Sequence, residues 1–408
     1  MKVVVLGLGA DTKDVIPYLG NRGDKVTVLD ERNGDKFENL NKYDLIVRSP
    51  GVYRYRPELL KTRTPITSKT KLFFDLCPGK IIGVTGTKGK GTTATLIYEI
   101  LKAAGKKVYL GGNIGTGIFE TLEKTGKDDW VVLELSSFQL IDLHKSPHIA
   151  VILMTTAEHQ DWHKNILEYV EAKKNLVCHQ TPTDYAVVNK DYPNSVEIGK
   201  AATGQIAWVS KDFLQNMADE EIGLRGSHNR ENVVAAATAA KLAGVNEPTI
   251  RKVIKEFKGL EHRLEEVAAV NGVIYYNDSF STTPETAIAA IKTFREPEIV
   301  ILGGSSKNSD FSALGKTIRE TQNIKALILI GSEAKKIEKT VGKARGVRVI
   351  RNHGNMTKIV EIAYNNAVSG DIVLLSPACA SFDMFKNYKD RGLQFKKEVL
   401  ALNEKQKP

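Results

Sequence analysis

The segment GVTGTKGKGTT, from Gly83 to Thr93, constrains this chain more than any other. It follows an apolar β-type run, Lys80 to Val84, and leads into Leu96, Ile97, Ile100, Leu101 and Ala104 at helical spacing. A strand, a glycine loop and a helix in that order make a phosphate cradle. Gly86, Gly89 and Gly91 let the backbone N–H groups of the loop, including those of Thr87 and Lys88, approach phosphate oxygens. The helix N-terminus adds partial positive charge, and Lys90 reaches the terminal phosphates. The pattern points to a nucleoside triphosphate. It departs from the usual form at two places: Val84 stands at the first glycine position, and Gly91 follows Lys90 where Ser or Thr is usual. A hydroxyl for magnesium must then come from Thr92 or Thr93. The alternative is a glycine-rich turn with one surface lysine.

At 408 residues the chain is long for one core, and three domains are expected. A hydrophobic content of 42% with 26% charged residues is ordinary for a soluble globular protein. There is no apolar run of membrane-spanning length, and MKVVVLGLGA enters a strand without a signal-peptide pattern, so a cytoplasmic protein without a membrane span is expected. Cys77, Cys178 and Cys379 form neither a disulfide framework nor a zinc pattern and are expected to be buried free thiols. The net charge of +10 comes from lysines scattered through mixed-sign segments such as Lys335 to Lys339, without an aromatic-interleaved basic stripe. Nucleic acid is therefore not expected as a partner, whereas an anionic small substrate accounts for part of the excess.

The expected fold is α/β in three domains: a small Rossmann-like N-terminal unit over residues 1–78, a central P-loop ATPase-like parallel-sheet domain over 79–260, and a C-terminal doubly wound Rossmann-like domain over 261–408. Strands are expected at Val3 to Leu6, Lys25 to Leu29 and Tyr43 to Val47 in the first segment, and at Lys107 to Leu110, Val131 to Leu135 and Ile149 to Met154 in the second. Helices should run from Ile166 to Cys178 and from near Asn229 to Ala243, the latter stopped by Gly244. The third segment alternates strands at Val273 to Tyr276, Ile299 to Leu302, Ala326 to Ile330, Val347 to Ile350 and Ile372 to Leu375 with helices beginning near Pro284, Phe311, Ser332 and Met356. The GLGADTK segment has the look of a dinucleotide fingerprint, but Lys13 stands where its last glycine should be. Asp30, at the end of the second strand, is placed either for a ribose or base contact or as a plain turn aspartate.

Glu134, within LELSSFQL, is a carboxylate inside an apolar strand, costly to bury unless it meets a cation. A magnesium ligand fits; a glutamate paired with a lysine is the alternative. His159 and Asp161 follow the Ile149 strand, and Lys173 comes fourteen residues after His159. A lone helical lysine of this kind is normally a solvated surface group.

The ordered set GTKGKGTT, GNIG, LELSSFQL, EHQDWH, YVEAKK, GSHNRENVVAAA, GLEHRLE, NDSF, LGGSSK and LSPACASFD resembles the Mur ligases of peptidoglycan synthesis over nearly the whole chain, and among them the UDP-N-acetylmuramoyl-L-alanine:D-glutamate ligase family (MurD family). LELSSFQL and SPACASFD are the more specific marks; the phosphate loop is shared with folylpolyglutamate synthase. The resemblance implies a monomeric cytoplasmic enzyme in which ATP phosphorylates the carboxylate of UDP-linked muramoyl-alanine, and the amine of D-glutamate then displaces phosphate from the acyl phosphate. Lys90 matches the phosphate-loop lysine, Glu134 a ligand of the first Mg2+ and His159 a ligand of the second, with Thr92 supplying the loop hydroxyl. Lys173 matches the lysine that the family carbamylates, turning a cation into a carboxylate-like metal ligand. Asn113 matches the contact to the substrate diphosphate, Ser136 and Gln139 lie near the muramoyl portion, and Asp30 and Glu31 fall where the family grips uracil. Asn229 and Asn232 match the adenine side of the ATP site, and Arg263 and Asp278 match residues that close over phosphates and ribose. Thr282, Lys307, Ser381, Phe382 and Tyr388 correspond to the D-glutamate pocket.

Two departures bear on this reading. Where the resemblance implies NDSKAT the chain has NDSFST, so Phe280 replaces a lysine, and Gly91 replaces the loop hydroxyl. Lys90, Glu134, His159 and Lys173 are all retained, which favours an active ligase over a catalytically silent ATP-binding subunit. A sibling ligase adding L-glutamate or another amino acid is the nearest enzymatic alternative.

Overall fold

The computed structural model describes all residues except 10–11, 115–116, 157, 159–161, 211–221, 225, 307–308, 343, 352–353 and 405–408. The chain forms two compact units, residues 1–222 with 228–257, and residues 223–227 with 258–408.

The first unit contains two sheets. Strands β1 (Lys2–Leu6), β2 (Lys25–Leu29), β3 (Leu45–Arg48) and β4 (Ile66–Ser68) form a parallel sheet in the order β2-β1-β3-β4. The second sheet consists of β5 (Lys80–Thr85), β6 (Val108–Gly112), β7 (Trp130–Glu134), β8 (Ile149–Ile152), β9 (Tyr185–Asn189) and β10 (Gln205–Val209). It is parallel throughout, in the order β10-β9-β8-β5-β7-β6. The strands that lead into the segments expected to hold the site, β5, β7 and β8, sit side by side at its centre. Their Val/Ile/Leu runs are buried on both faces, as a covered parallel sheet requires.

The two sheets share one core. Val3, Val5, Val15 and Leu19 of the N-terminal segment belong to the same buried cluster as Phe73, Phe119, Val131 and Leu133. Phe119 lies 4.8 Å from Tyr18 and 6.1 Å from Phe73, ring centroid to centroid. A buried ion pair between Asp14 and Lys69, at 2.7 Å, and one between Arg48 and Asp142 reinforce the junction.

The second unit holds β11 (Glu265–Val270), β12 (Val273–Asn277), β13 (Glu298–Gly303), β14 (Ile324–Ile330), β15 (Arg348–Arg351) and β16 (Ile372–Leu375). Their order is β11-β12-β16-β13-β14-β15, parallel except for the antiparallel edge strand β11. One buried cluster, with Leu302, Leu314 and Ile337, and another, with Ile301, Ile359 and Phe395, pack on this sheet.

The expected strands are present, with ends shifted by one or two residues. The run expected to reach Met154 leaves the ladder after Ile152, because Leu153 donates its N–H to Thr85 and Met154 offers its carbonyl to Thr87. The helix expected to reach Cys178 ends at Lys174; beyond it the N–H groups of Leu176 and Val177 turn back onto Lys173 and Lys174. The helix Ser227–Leu242 ends before Gly244, whose φ of 80° only glycine adopts readily. The short strand β4, the outer strands β9 and β10, and the antiparallel β11 were not anticipated. Cys379 is buried, but Cys77 and Cys178 are only half-buried, correcting the expectation for those two; none of the three forms a disulfide.

Candidate active site

Two close approaches shape the phosphate loop. A Cβ on Gly86 would come within 2.8 Å of Leu153, and one on Gly89 within 2.1 Å of Asn232 Oδ1, and both residues have positive φ. Glycine is thus required where β8 and the helix Ser227–Leu242 press on the loop. Thr87 fixes the middle: its N–H donates to Met154 at 2.7 Å, and its hydroxyl meets the Tyr169 hydroxyl at 2.8 Å. Lys90, first residue of the helix Lys90–Ala103, turns its ammonium inward onto the carbonyls of Gly86 (3.1 Å) and Thr87 (3.0 Å). Lys88 points outward to Glu158 at 3.1 Å. The two lysines of the loop therefore differ in kind, one lining its concave side and one decorating its rim. Gly91 is buried and Thr92 half-buried in the first helical turn.

Glu134 closes β7, in register with Val84 of β5 and Gly112 of β6, so it stands beside the root of the phosphate loop. It is buried, at 6% exposure. Gly112 has a φ of 95°, and a Cβ there would lie 2.1 Å from the Glu134 carbonyl. That contact lets the Asn113 N–H donate to the same carbonyl at 3.1 Å, bringing the exposed Asn113 to the strand end next to Glu134.

Lys173 lies near the end of the helix Ile166–Lys174 and is only 1% exposed. The expectation of a solvated lysine fails here. Its Nζ donates to Thr85 Oγ1 at 3.0 Å and to the Gly86 carbonyl at 3.1 Å, and sits 4.6 Å from the centre of the Tyr169 ring. Burial, with the nearby Lys90 ammonium adding to it, pushes its pKa well below the usual lysine range. Both effects disfavour the ammonium form beside the phosphate loop.

Asn232 Nδ2 donates to Asn229 Oδ1 at 3.1 Å, while its Oδ1 accepts from Thr93 Oγ1 at 3.3 Å. Asn232 therefore meets the first turn of the helix after the loop, with Asn229 bonded beside it. Ser136 and Gln139 form a capping box at the short helix Ser137–Leu140, the Ser136 N–H donating to Gln139 Oε1 at 2.9 Å. In the first sheet, Asp30 accepts from the Leu8 N–H (2.6 Å), the Arg32 N–H and the Arg32 guanidinium. That guanidinium, joined by the two backbone donors, holds the Asp30 carboxyl far below the usual range. Asp30 thus takes up an amide of the very glycine loop that a dinucleotide phosphate would need. Glu31 is gripped by both terminal nitrogens of Arg56, at 2.6 and 2.8 Å.

The second unit gathers its own set. Asp278 is buried and accepts from Ser376 Oγ at 2.7 Å and from the Leu264 N–H at 3.2 Å. Burial raises its pKa to about 7 despite these donors. Arg263 sits between His262 and Leu264, which both have positive φ (66° and 46°), and its guanidinium lies 3.8 Å from the centre of the Phe280 ring. Phe280 stands where the resemblance implied a lysine. Ser381 is buried, Phe382 is 73% exposed, and the Tyr388 ring meets Phe280 edge-on at 5.0 Å. Thr282 is half-buried two residues beyond Phe280. His159, Asp161 and Lys307 lie outside the described residues.

Two residues escaped the sequence reading. His163 is buried, bonded to Ser137 Oγ at 2.9 Å and stacked on Phe138 at 9°, fixing the segment after β8. Arg391 is fully buried and binds Ser279 Oγ at 2.9 Å and the Cys379 carbonyl at 3.2 Å, tying the loop after β12 to the loop after β16. Its setting in NYKDRG has the composition of a solvated helix face, so no local signal marked it.

With this geometry in place, the comparisons with known proteins are specific. Residues 84–240 match the Mur ligase middle domain, and residues 262–379 match the Mur ligase, glutamate ligase domain. The chain is 38% identical to the UDP-N-acetylmuramoylalanine–D-glutamate ligase of Symbiobacterium thermophilum, over 98% of both chains. It is 39% identical to that of Acetivibrio thermocellus, over 98% of this chain and 96% of the relative. Among solved structures, the UDP-N-acetylmuramate-alanine ligase of Thermotoga maritima shares the fold over 100% of both chains, with a TM-score of 0.63 at 17% identity. The MurF ligase of the same organism, solved in complex with ADP, has a TM-score of 0.61 at 17% identity, over 99% of this chain and 95% of that one. This chain belongs to the Mur ligase family, the ATP-dependent ligases that form amide bonds.

Proposed function

We propose that this protein joins D-glutamate to UDP-N-acetylmuramoyl-L-alanine at the expense of ATP, as a cytoplasmic step of peptidoglycan synthesis. Full-length similarity to relatives named for that reaction supports the choice of substrates. The observation in the site that carries the chemistry is Lys173, a buried lysine whose Nζ donates to Thr85 Oγ1 and to the Gly86 carbonyl at the root of the phosphate loop. Among the described residues no helix is long and apolar enough to cross a membrane. We assign residues 1–78 to the UDP-linked substrate, 79–260 to ATP and 261–408 to the amino acid, and take the active form to be a monomer.

The loop amides and Lys90 hold the ATP phosphates, and Asn229 and Asn232 stand on the adenine side. The muramoyl-alanine carboxylate, with Asn113, Ser136 and Gln139 near its carrier and Asp30 and Glu31 near uracil, attacks the γ-phosphorus. ADP leaves and an acyl phosphate forms. The amine of D-glutamate, bound through Thr282, Lys307, Ser381, Phe382 and Tyr388, then attacks the acyl carbon. Phosphate departs from the tetrahedral intermediate, the amine gives up its proton, and the amide remains. Arg263 and Asp278 contact phosphates and ribose. Such transfer is catalysed by positioning and by cationic clamps rather than by a covalent enzyme intermediate.

The donor set fits magnesium, a hard cation that prefers oxygen. Glu134 offers a buried carboxylate and Thr92 a hydroxyl in the first turn of the helix that follows the loop. In its uncharged form the Lys173 amine would add to carbon dioxide with loss of a proton, and the resulting carbamate would supply anionic oxygens; His159 would complete the set of ligands. Magnesium bound there would neutralise charge on the transferring phosphoryl group. The reading is tested by ADP release with UDP-N-acetylmuramoyl-L-alanine, comparing D-glutamate with L-glutamate. D-glutamate is expected to support turnover; release driven by L-glutamate alone would replace this reading with that of the sibling ligase.

A further inference from the structure

The turn that carries Arg263 is held partly by its own residues, the Arg263 N–H donating to the Leu260 carbonyl at 3.0 Å and the His262 N–H to Glu265 Oε2 at 2.9 Å, and partly by the end of β12 and the loop after it. His262 and Leu264 hold left-handed conformations that cost energy for residues with a Cβ. Part of what holds them there comes from the NDSF segment. The Leu264 N–H donates to Asp278 Oδ1 at 3.2 Å, Asn277 Nδ2 meets His262 Nδ1 at 2.9 Å, and the Phe280 N–H donates to the His262 carbonyl at 3.0 Å. The backbone of this turn is thus fixed in part by the loop, and the same loop supplies a surface for the side chain. The Arg263 guanidinium lies 3.8 Å from the Phe280 ring centre, and that ring is itself held edge-on by Tyr388 at 5.0 Å. Tyr388 is anchored in turn, its carbonyl accepting from Ser279 Oγ at 2.8 Å.

We propose that Phe280 is a positioning residue, an aromatic platform that aims the Arg263 guanidinium at the nucleotide. The proposal rests on the reading of Arg263 as a phosphate and ribose contact. A guanidinium held against a ring has fewer orientations to lose when ligand arrives, so less ordering remains to be done on binding. Phe280 leaves 37% of its surface exposed, so its role is not that of a core residue whose truncation would simply leave a cavity.

The test is a double-mutant cycle in the full-length enzyme, reading KM for ATP and kcat separately, with melting temperature as a control. Phe280→Leu removes the π face and is expected to raise KM for ATP by roughly 5- to 30-fold, while Phe280→Tyr keeps the face and stays within about twofold of wild type. In an Arg263→Ala background the Phe280→Leu change should add less than about twofold, because the group it aims is gone. An equal effect of Phe280→Leu with and without Arg263 would overturn the platform while leaving Arg263 as a nucleotide contact. A normal KM for ATP in Arg263→Ala would overturn the contact itself, and the platform with it.

Discussion

Lys173 concentrates the chemical argument at the scale of a single residue. An amine facing Thr85 Oγ1 and the Gly86 carbonyl, close to a second lysine, has its pKa pushed well below the usual lysine range because burial penalises the ammonium form. Only the neutral form adds carbon dioxide. Lys173→Ala is accordingly expected to lose ligation, with part of it restored by a small carboxylate such as acetate entering the vacated space. Wild-type turnover in Lys173→Ala without added carboxylate would contradict this role. The sequence showed Lys173 only as a lysine on a helix, and the resemblance alone marked it as unusual; its burial depends on Tyr169 one helical turn back and on the strand end at Thr85, which lies far from it along the chain. Lys90 was legible outright, because a glycine loop between strand and helix leaves its first helical lysine facing the concave side. For Ser136 and Gln139 the structure adds a local role, the capping box, that the S-x-x-Q spacing itself encodes.

At the scale of elements, the strands that deliver Glu134 and the loop were readable because their Val/Ile/Leu runs are continuous and end in glycine or acid. The outer strand β10 and the edge strand β11 were not, since Gln205–Val209 and Glu265–Val270 are largely exposed or half-buried and their sequences lack a clear period. Strand β13 carries a testable anomaly. Glu298 at its start is fully buried with one oxygen accepting from Asn323 at 2.9 Å, and burial raises its pKa to about 8. The folded state thus holds a proton that the unfolded chain releases near the ordinary glutamate value. Stability of the second unit should fall as pH rises from about 4.5 through about 8, and level off above that. Glu298→Gln removes this contribution. Chemical denaturation should find the variant and wild type alike near pH 4.5 and the variant more stable, by on the order of a few kcal/mol, above pH 8. A difference that does not change with pH would show that Glu298 is not the titrating group.

At the scale of the whole molecule, the chain's α/β character and its three sheets were legible, but the cover of the first sheet was not. An apolar strand face declares that something packs on it without saying what. Here Val15, Leu19 and Tyr18 meet Phe73 and Phe119, so the N-terminal sheet and the central sheet are stabilised together. Phe119→Ala should cost roughly 3–5 kcal/mol and lower the unfolding of residues 1–257 as one transition. Early loss of the N-terminal sheet alone in hydrogen exchange of the wild type would contradict a shared core. The central claim, that this Mur ligase activates a carboxylate as an acyl phosphate, is tested most directly by isotope transfer. With both oxygens of the muramoyl-alanine carboxylate labelled with 18O, the phosphate released during ligation of D-glutamate should carry one labelled oxygen, visible as an isotope shift in its 31P resonance, and the amide product should have lost one. Unlabelled phosphate, with the oxygen lost from the carboxylate appearing in water instead, would contradict the account.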